Sequence, residues 1–438
     1  MQIRPPSTYG PEVLGGLLAR PLSRVPFWRD RLARKVHSIL QTADIRVNAP
    51  LDLGPAKPSL YVHDSRFFSE VLARGSLGLG ESYVKGWWDC SDLAEFFTRV
   101  IRADLDRNDP SPWTWLYRLR LQLINPQYMG LKRRKVADQH YDLGNDFFQH
   151  MLDPEHMQYT CAYFSGTQDL DEAQRKKVDL IARKLHLRAG QKILELGGGF
   201  GGLAKHLASR YGVHVTLVNI SKEQCRFADA QTRSLPQGRV DVLNMDFRDL
   251  AKTDLYWLAK PGGKFDRIVS VGMMEHVGPK NYRAMMKIAH RFLEPGGLFL
   301  LHTIGNNEGT NNPPDPWMEK YIFPHSQVPT KIQRDQAAAG LFVAADEHDF
   351  GPDYDLTCMA WFERFNQNWP AIRRLPAFQE TLSKLKTAGI NSPAEFYRMW
   401  KYYLMASVGQ FRSGKGRLWQ MVYARQEDGV PSWHATQR

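Results

Sequence analysis

A chain of 438 residues exceeds what one ordinary core accommodates and predicts two domains. Its 43% hydrophobic and 24% charged content excludes a disordered chain, and no charge-free run approaches the roughly 20 apolar residues that span a bilayer. The net charge of +12 calls for an anionic partner, and residues 1–135 carry most of the excess, with 21 Lys and Arg against 13 Asp and Glu.

The opening MQIRPPSTYG lacks the apolar core of a secretory signal, so a cytoplasmic location is expected. Residues 1–20 read as a loose Pro- and Gly-rich lead. A basic helix is predicted over 26–40, where Phe27, Trp28, Leu32, Val36 and Leu40 fall near helical spacing. A strand at 59–63 and helices at 65–74 and 91–103 complete a small α+β domain over 1–105. The segment 106–135 reads as a linker, with a helix at 113–124 and the basic cluster Lys132-Arg133-Arg134-Lys135.

From 136 to 438 the pattern alternates. Strands are predicted at 192–197, 213–218, 239–246, 265–273 and 297–304, with helices at 201–210, 221–233 and 279–292 between them. Segments 342–350 and 418–425 supply two further strands. This is an α/β fold, a doubly wound, mainly parallel sheet of the Rossmann-like kind. The four cysteines are scattered and form no CxxC pair, so neither a zinc knuckle nor a disulfide framework is expected, and no metal is assigned.

Between the first of these strands and its helix runs LELGGGFGG, residues 194–202. Glycines here allow a tight turn and close approach of a ligand to the backbone. The loop also satisfies GxGxxG, so a dinucleotide oxidoreductase and a plain structural turn both remain open. Three neighbours favour S-adenosylmethionine. Glu195 precedes the glycines, Asp246 and Phe247 follow the third strand, and the fourth strand runs into MMEHV, all at the carboxyl edge where open α/β sheets bind ligands.

The blocks LGLGESYVKGWWDC, HYDLGNDFF, LDPEHMQYTCAYF, IVSVGMMEHVGPKNY, LLHTIG, DPWMEKYIFP, YDLTCMAWFERF and LWQMVYAR run in order from about residue 77 to 425. In these the chain resembles the bacterial cyclopropane-fatty-acyl-phospholipid synthases and is similar to the mycolic acid cyclopropane synthases. The resemblance implies transfer of a methylene from S-adenosylmethionine to the cis double bond of an unsaturated phospholipid acyl chain. It also implies a bicarbonate ion as general base, held at the positions of Cys161, Glu275, His302, Ile304 and Tyr354. Cofactor positions carried over are Tyr159, Thr160, Gly197, Gly199, Asn219, Gln224, Asp246 and Phe247. The alternative outcome is a lipid methyltransferase that leaves a methylene- or methyl-branched chain without ring closure.

The family's loop usually reads GCGWGG, whereas Gly198 and Phe200 stand here; Asn219 replaces a common Thr and Met274 a common Phe. Gly198 and Phe200 are expected to leave the fold intact and loosen cofactor packing, and Met274 to alter the acyl channel. The N-terminal domain favours a phospholipid substrate, with the enzyme peripherally associated with the inner face of the cell membrane. Its basic residues would meet anionic headgroups, and Phe27, Trp28, Trp87 and Trp88 read as exposed aromatics that insert or pack. Tyr159, Tyr163, Phe164, Trp361 and Phe362 are the aromatic groups available to face a carbocation. No nucleic-acid recognition motif is found, and a homodimer is what the resemblance suggests.

Overall fold

The computed structural model describes residues 26–48, 58–106, 144–253, 258–307, 309 and 313–432. The expected lead at 1–20, the helix at 113–124 and the basic cluster at 132–135 lie outside them. The chain forms two compact units.

The first unit takes in Met1–Ile124 together with Asp315–Ile322 and Leu385–Ser413. Its sheet is small: β1 (Arg46–Val47) pairs parallel with β2 (Ser59–Val62), which pairs antiparallel with β3 (Trp88–Cys90). Helices span Pro26–Thr42, Arg66–Val84, Leu93–Arg102, Pro316–Tyr321 and Pro393–Arg412. The helix expected at 65–74 runs on to Val84, broken at Gly75, whose φ of 53° needs a glycine. Beyond the break, glycines allow close packing: a Cβ on Gly80 would lie 2.3 Å from the Trp317 ring. Asp92 and Ser392 cap their helices by accepting from the N–H groups of Glu95 and Glu395. The core is aromatic. Trp88 packs against Phe67, Tyr83 and Phe96, and Tyr402 against Phe97 and Trp317.

Trp88 is therefore no membrane-facing side chain. It is fully buried, and its indole N–H donates to Leu79 O and Ser82 Oγ. Trp88 opens β3, which turns it into the core, whereas Trp87 lies in the bend before the strand. Trp87 is half-buried beneath the Arg66 guanidinium, 4.4 Å from its ring centre.

The second unit holds Asn125–Pro314, Phe323–Lys384 and Gly414–Arg438. Its seven strands among the described residues are β4 (Lys192–Leu196), β5 (His214–Asn219), β6 (Arg239–Asn244), β7 (Phe265–Val271), β8 (Leu293–Gly305), β9 (Phe342–Asp349) and β10 (Arg417–Arg425). They lie in the order β6-β5-β4-β7-β8-β10-β9. The first five are parallel and β10 is antiparallel to both of its neighbours. Both faces are covered. Leu194, Leu196, Ile268 and Phe299 pack under the Tyr282–Phe292 helix, while Ile193, Val269, Leu300 and Val422 pack under the Leu170–Lys184 and Gly202–Tyr211 helices. This is the doubly wound sheet that the sequence predicts. The helices over 170–184 and 352–372 extend beyond the elements read from periodicity; the first contains two buried lysines, which blur its apolar stripe.

Candidate active site

The carboxyl ends of β4 to β8 carry most of the expected site residues, while Tyr159, Thr160 and Cys161 come from the loop before the Leu170–Lys184 helix and Tyr354 from the Pro352–Ile372 helix. Leu196 ends β4, and the glycine turn follows with φ of 80° at Gly197, 54° at Gly199 and 81° at Gly201, a conformation that only glycine adopts cheaply. A Cβ on Gly197 would meet Met273 at 2.9 Å, and one on Gly272 would meet Thr160 at 2.7 Å. The turn, the end of β7 and the loop bearing Tyr159 and Thr160 are thus in mutual contact.

The departures in the loop are closely packed against the protein's own side chains. A Cβ on Gly198 would come 2.3 Å from Leu217, so the glycine matches the side chain beneath it. Phe200 is buried between Phe148 and Phe227, at 5.4 and 5.7 Å. Met274 is wholly buried in the core under the Tyr282–Phe292 helix, where it is a packing residue.

Asn219 ends β5 and ties the turn down. Its amide donates to Gly199 O and to Gln224 Oε1, each at 3.0 Å. Gln224 spends its carbonyl on that bond, which leaves its NH2 to give. Asp246 caps the short helix Phe247–Lys252 through the Arg248 N–H and grips the Arg248 guanidinium at 2.5 Å. Phe247 beside it is half-buried.

Glu275 begins the short helix Met274–Val277 after β7. Its Oε1 accepts from the backbone N–H of Ile304 at 2.7 Å, while Oε2 is buried with no hydrogen-bond partner. Burial pushes this carboxyl up to about 7. His302, on β8, is buried, and neither ring nitrogen has a hydrogen-bond partner. Burial, with Lys177 and Lys184 nearby, holds its imidazole well below the usual range and so neutral. Tyr354 is buried at the start of the Pro352–Ile372 helix, and burial drives its phenol well above 10. Trp361, one to two turns on, packs with both Tyr354 and Tyr159, at 6.0 and 5.1 Å. The Cys161 thiol is fully buried within reach of Thr357 Oγ1, which also accepts from the next backbone N–H, that of Ala162. Burial raises the thiol far above 9, so it is no thiolate nucleophile.

Two polar residues of this region were missed by sequence reading. Lys177 is fully buried on the Leu170–Lys184 helix and donates to Gln158 and to Thr160 Oγ1. Burial lowers it to about 8, and Glu195 is raised to about 8 by the same cause, with Lys177 acting against that rise. Gln420 on β10 is the cross-strand partner of His302, and both of its amide atoms are buried without partners. The signal was present: a lysine on an apolar helical stripe and a glutamine inside LWQMVYAR both break a hydrophobic pattern.

Glu275, His302, Tyr354 and Gln420 are uncharged donor groups when Glu275 carries its proton. The orphaned atoms among them, Glu275 Oε2, both His302 nitrogens and the Gln420 amide, each cost about 1–3 kcal/mol if left unpaired. A small polar occupant with acceptor atoms would satisfy them. Of the aromatics expected to face a cation, Tyr159 and Trp361 join Tyr354 in one cluster, whereas Tyr163 packs against His348 and Phe350.

A family model described as mycolic acid cyclopropane synthetase matches residues 131–421. The chain is 41% identical over 400 residues to the cyclopropane-fatty-acyl-phospholipid synthase of Escherichia coli strain K12, covering 90% of this chain and 94% of that one. It is 30% identical over 391 residues to the tuberculostearic acid methyltransferase UfaA1 of Mycobacterium tuberculosis, covering 85% and 84%. Among solved structures, the mycolic acid cyclopropane synthase CmaA1 complexed with SAH and CTAB matches with a TM-score of 0.56 at 26% identity, over 67% of this chain and 98% of that one.

Proposed function

Since the chain belongs to the mycolic acid cyclopropane synthetase family and is an S-adenosylmethionine-dependent methyltransferase, we propose that it builds a cyclopropane ring on the cis double bond of an unsaturated phospholipid acyl chain, with bicarbonate as general base. The observation that carries the bicarbonate is the set of orphaned buried atoms, Glu275 Oε2 and both nitrogens of His302. When bound, S-adenosylmethionine supplies the electrophilic methyl and bicarbonate a compact base of one negative charge.

The chain's own residues supply the rest. An alkene is a weak nucleophile, and alkylating it puts positive charge on the lipid chain; one proton must then leave as the ring closes. A cage whose imidazole and phenol are held neutral by burial, and whose carboxyl is pushed up to about 7, accepts a single anion with reduced like-charge repulsion. The backbone N–H of Ile304 fixes the Glu275 carboxyl, and the rings of Tyr159 and Trp361 offer π faces to a cation. Gly197 and Gly199 with Asn219 and Gln224 would hold the cofactor, Asp246 and Phe247 its adenine. Glu195 would regain its charge against the cofactor's ammonium group.

A second outcome, a methylene- or methyl-branched chain, is favoured by the similarity to a tuberculostearic acid methyltransferase. Among the described residues no helix is long and apolar enough to cross a membrane. The lipid would thus be reached from the membrane surface, with the basic N-terminal region as the docking face and a homodimer as the assembly. The deciding experiment is expression in a bacterium lacking cyclopropane lipids. Ring protons at high field in the NMR spectrum of its fatty acids support the proposal; vinylidene or branch-methyl signals alone support the second outcome, and unaltered fatty acids refute both.

A further inference from the structure

Away from the proposed catalytic cage, the buried rings of His156 and His206 meet nitrogen to nitrogen. His156 precedes Tyr159 in the loop of the second unit, and His206 lies on the Gly202–Tyr211 helix. His156 Nε2 is 3.1 Å from His206 Nδ1, and both rings are buried. The outer nitrogens are each set against a carboxylate. His206 Nε2 is hydrogen-bonded to Asp179 Oδ1 at 2.8 Å, whereas His156 Nδ1 lies 3.3 Å from Asp153 Oδ2 and makes no hydrogen bond.

A neutral imidazole carries one N–H and one lone pair. His206 is placed to give its N–H to Asp179, which leaves its Nδ1 lone pair facing His156 Nε2. If His156 donates there, its own Nδ1 is a buried lone pair beside Asp153 with no hydrogen-bond partner. A metal ion between the two inner nitrogens would let both rings keep their N–H on the carboxylate side.

The geometry favours the metal. Glu155 brings an oxygen to 3.7 Å from His156 Nε2, and the three donor atoms lie within 4.8 Å of one another. Tetrahedral coordination with bonds of about 2.0–2.1 Å places donors roughly 3.3 Å apart, close to both measured separations. Histidine ligands of zinc almost always give their other N–H to a carboxylate or carbonyl, the role Asp179 is placed to play for His206, while Asp153 is the carboxylate nearest the outer nitrogen of His156. Asp153 is itself fixed by the N–H groups of His156 and Gln158, and Asp179 by Tyr211. Glu155 has only the distant Arg175 as a rival, at 3.7 Å.

We propose that His156, His206 and Glu155 form a binding site for a divalent transition ion of the zinc class, with a fourth position for water. The ion's role is structural. It would pin the loop that carries Tyr159, Thr160 and Cys161 to the helix that leaves the glycine turn, where a Cβ on Gly202 would already overlap the carbonyl of His156. The donors are 50 residues apart in sequence, so no spacing motif announces them.

The test uses the untagged full chain, stripped with chelator and titrated with Co2+ as the probe. The expected result is one equivalent bound with visible d–d absorption, displaced by Zn2+, and a rise in Tm on adding Zn2+. His206→Gln should abolish the band. Glu155→Gln, an exposed change that leaves the metal-free Tm unaltered, should weaken binding about tenfold, and Asp179→Asn by roughly 10–100-fold. Absence of the Co2+ band in the wild type, or equal binding by wild type and both ligand variants, overturns the site and leaves the two rings joined by a hydrogen bond alone.

Discussion

The backbone N–H of Ile304 reaches Oε1 of Glu275 at 2.7 Å, while the second oxygen of the same carboxyl is buried with no partner. One half of this group is fixed by the fold, and the other half is available to whatever the site holds.

Glu275→Gln should preserve that backbone contact and abolish most ring formation. An effect of about 10²–10⁴-fold on turnover is the range for a group that serves proton transfer. The ligand-free protein carries a second signature. The folded carboxyl is raised to about 7 from 4.5, so the folded state binds this proton more tightly than the unfolded one. Stability therefore falls as pH rises from about 4.5 to about 7, by roughly 3 kcal/mol in all. Denaturant titrations across that window should show the slope in the wild type and its loss in Glu275→Gln.

Tyr354→Phe removes one buried hydroxyl and keeps the ring that packs on Trp361. We expect a Tm within a few degrees of the wild type and turnover lower by about 10² or more. Wild-type turnover in this variant and in Glu275→Gln together would remove the proposed base site.

Gly198→Ala tests whether Leu217 enforces the unusual glycine turn. The added methyl would sit 2.3 Å from Leu217, so a loss of about 1–3 kcal/mol is expected, with a raised KM for S-adenosylmethionine. Leu217→Ala in the same chain should recover part of the KM change. A strictly additive double mutant would show that the two side chains do not compete for one space.

Lys184 and Asp346 form an ion pair at 2.8 Å with both side chains buried. Removing one partner strands the other charge, so Asp346→Leu should cost about 3–5 kcal/mol. Replacing both, with Lys184→Met added, should recover most of the loss in a urea titration.

Docking through the basic N-terminal region predicts co-sedimentation with anionic vesicles that weakens steeply with salt, at about 1 kcal/mol per engaged Lys or Arg. Equal binding to neutral and anionic vesicles at low salt would count against it.

The sequence determined the doubly wound sheet, the glycine turn after β4 and the family, because each rests on local pattern: alternating strand and helix periods, a glycine-rich strand-to-helix turn, and long blocks in fixed order. Contacts between distant segments were decided only in three dimensions. Trp88 read as exposed beside Trp87, yet the pleat turns it into the aromatic core. Gly198 read as a departure from the family's loop, and Leu217, nineteen positions on, shows what a side chain there would meet. Gln420 becomes the neighbour of His302 through antiparallel pairing of β10 with β8, and His156 meets His206 across fifty residues. Sequence periodicity reports which face of an element is buried. It carries no information on which orphaned donor and acceptor atoms share a cavity, since that depends on strand order, register and the packing of the helices that cover them.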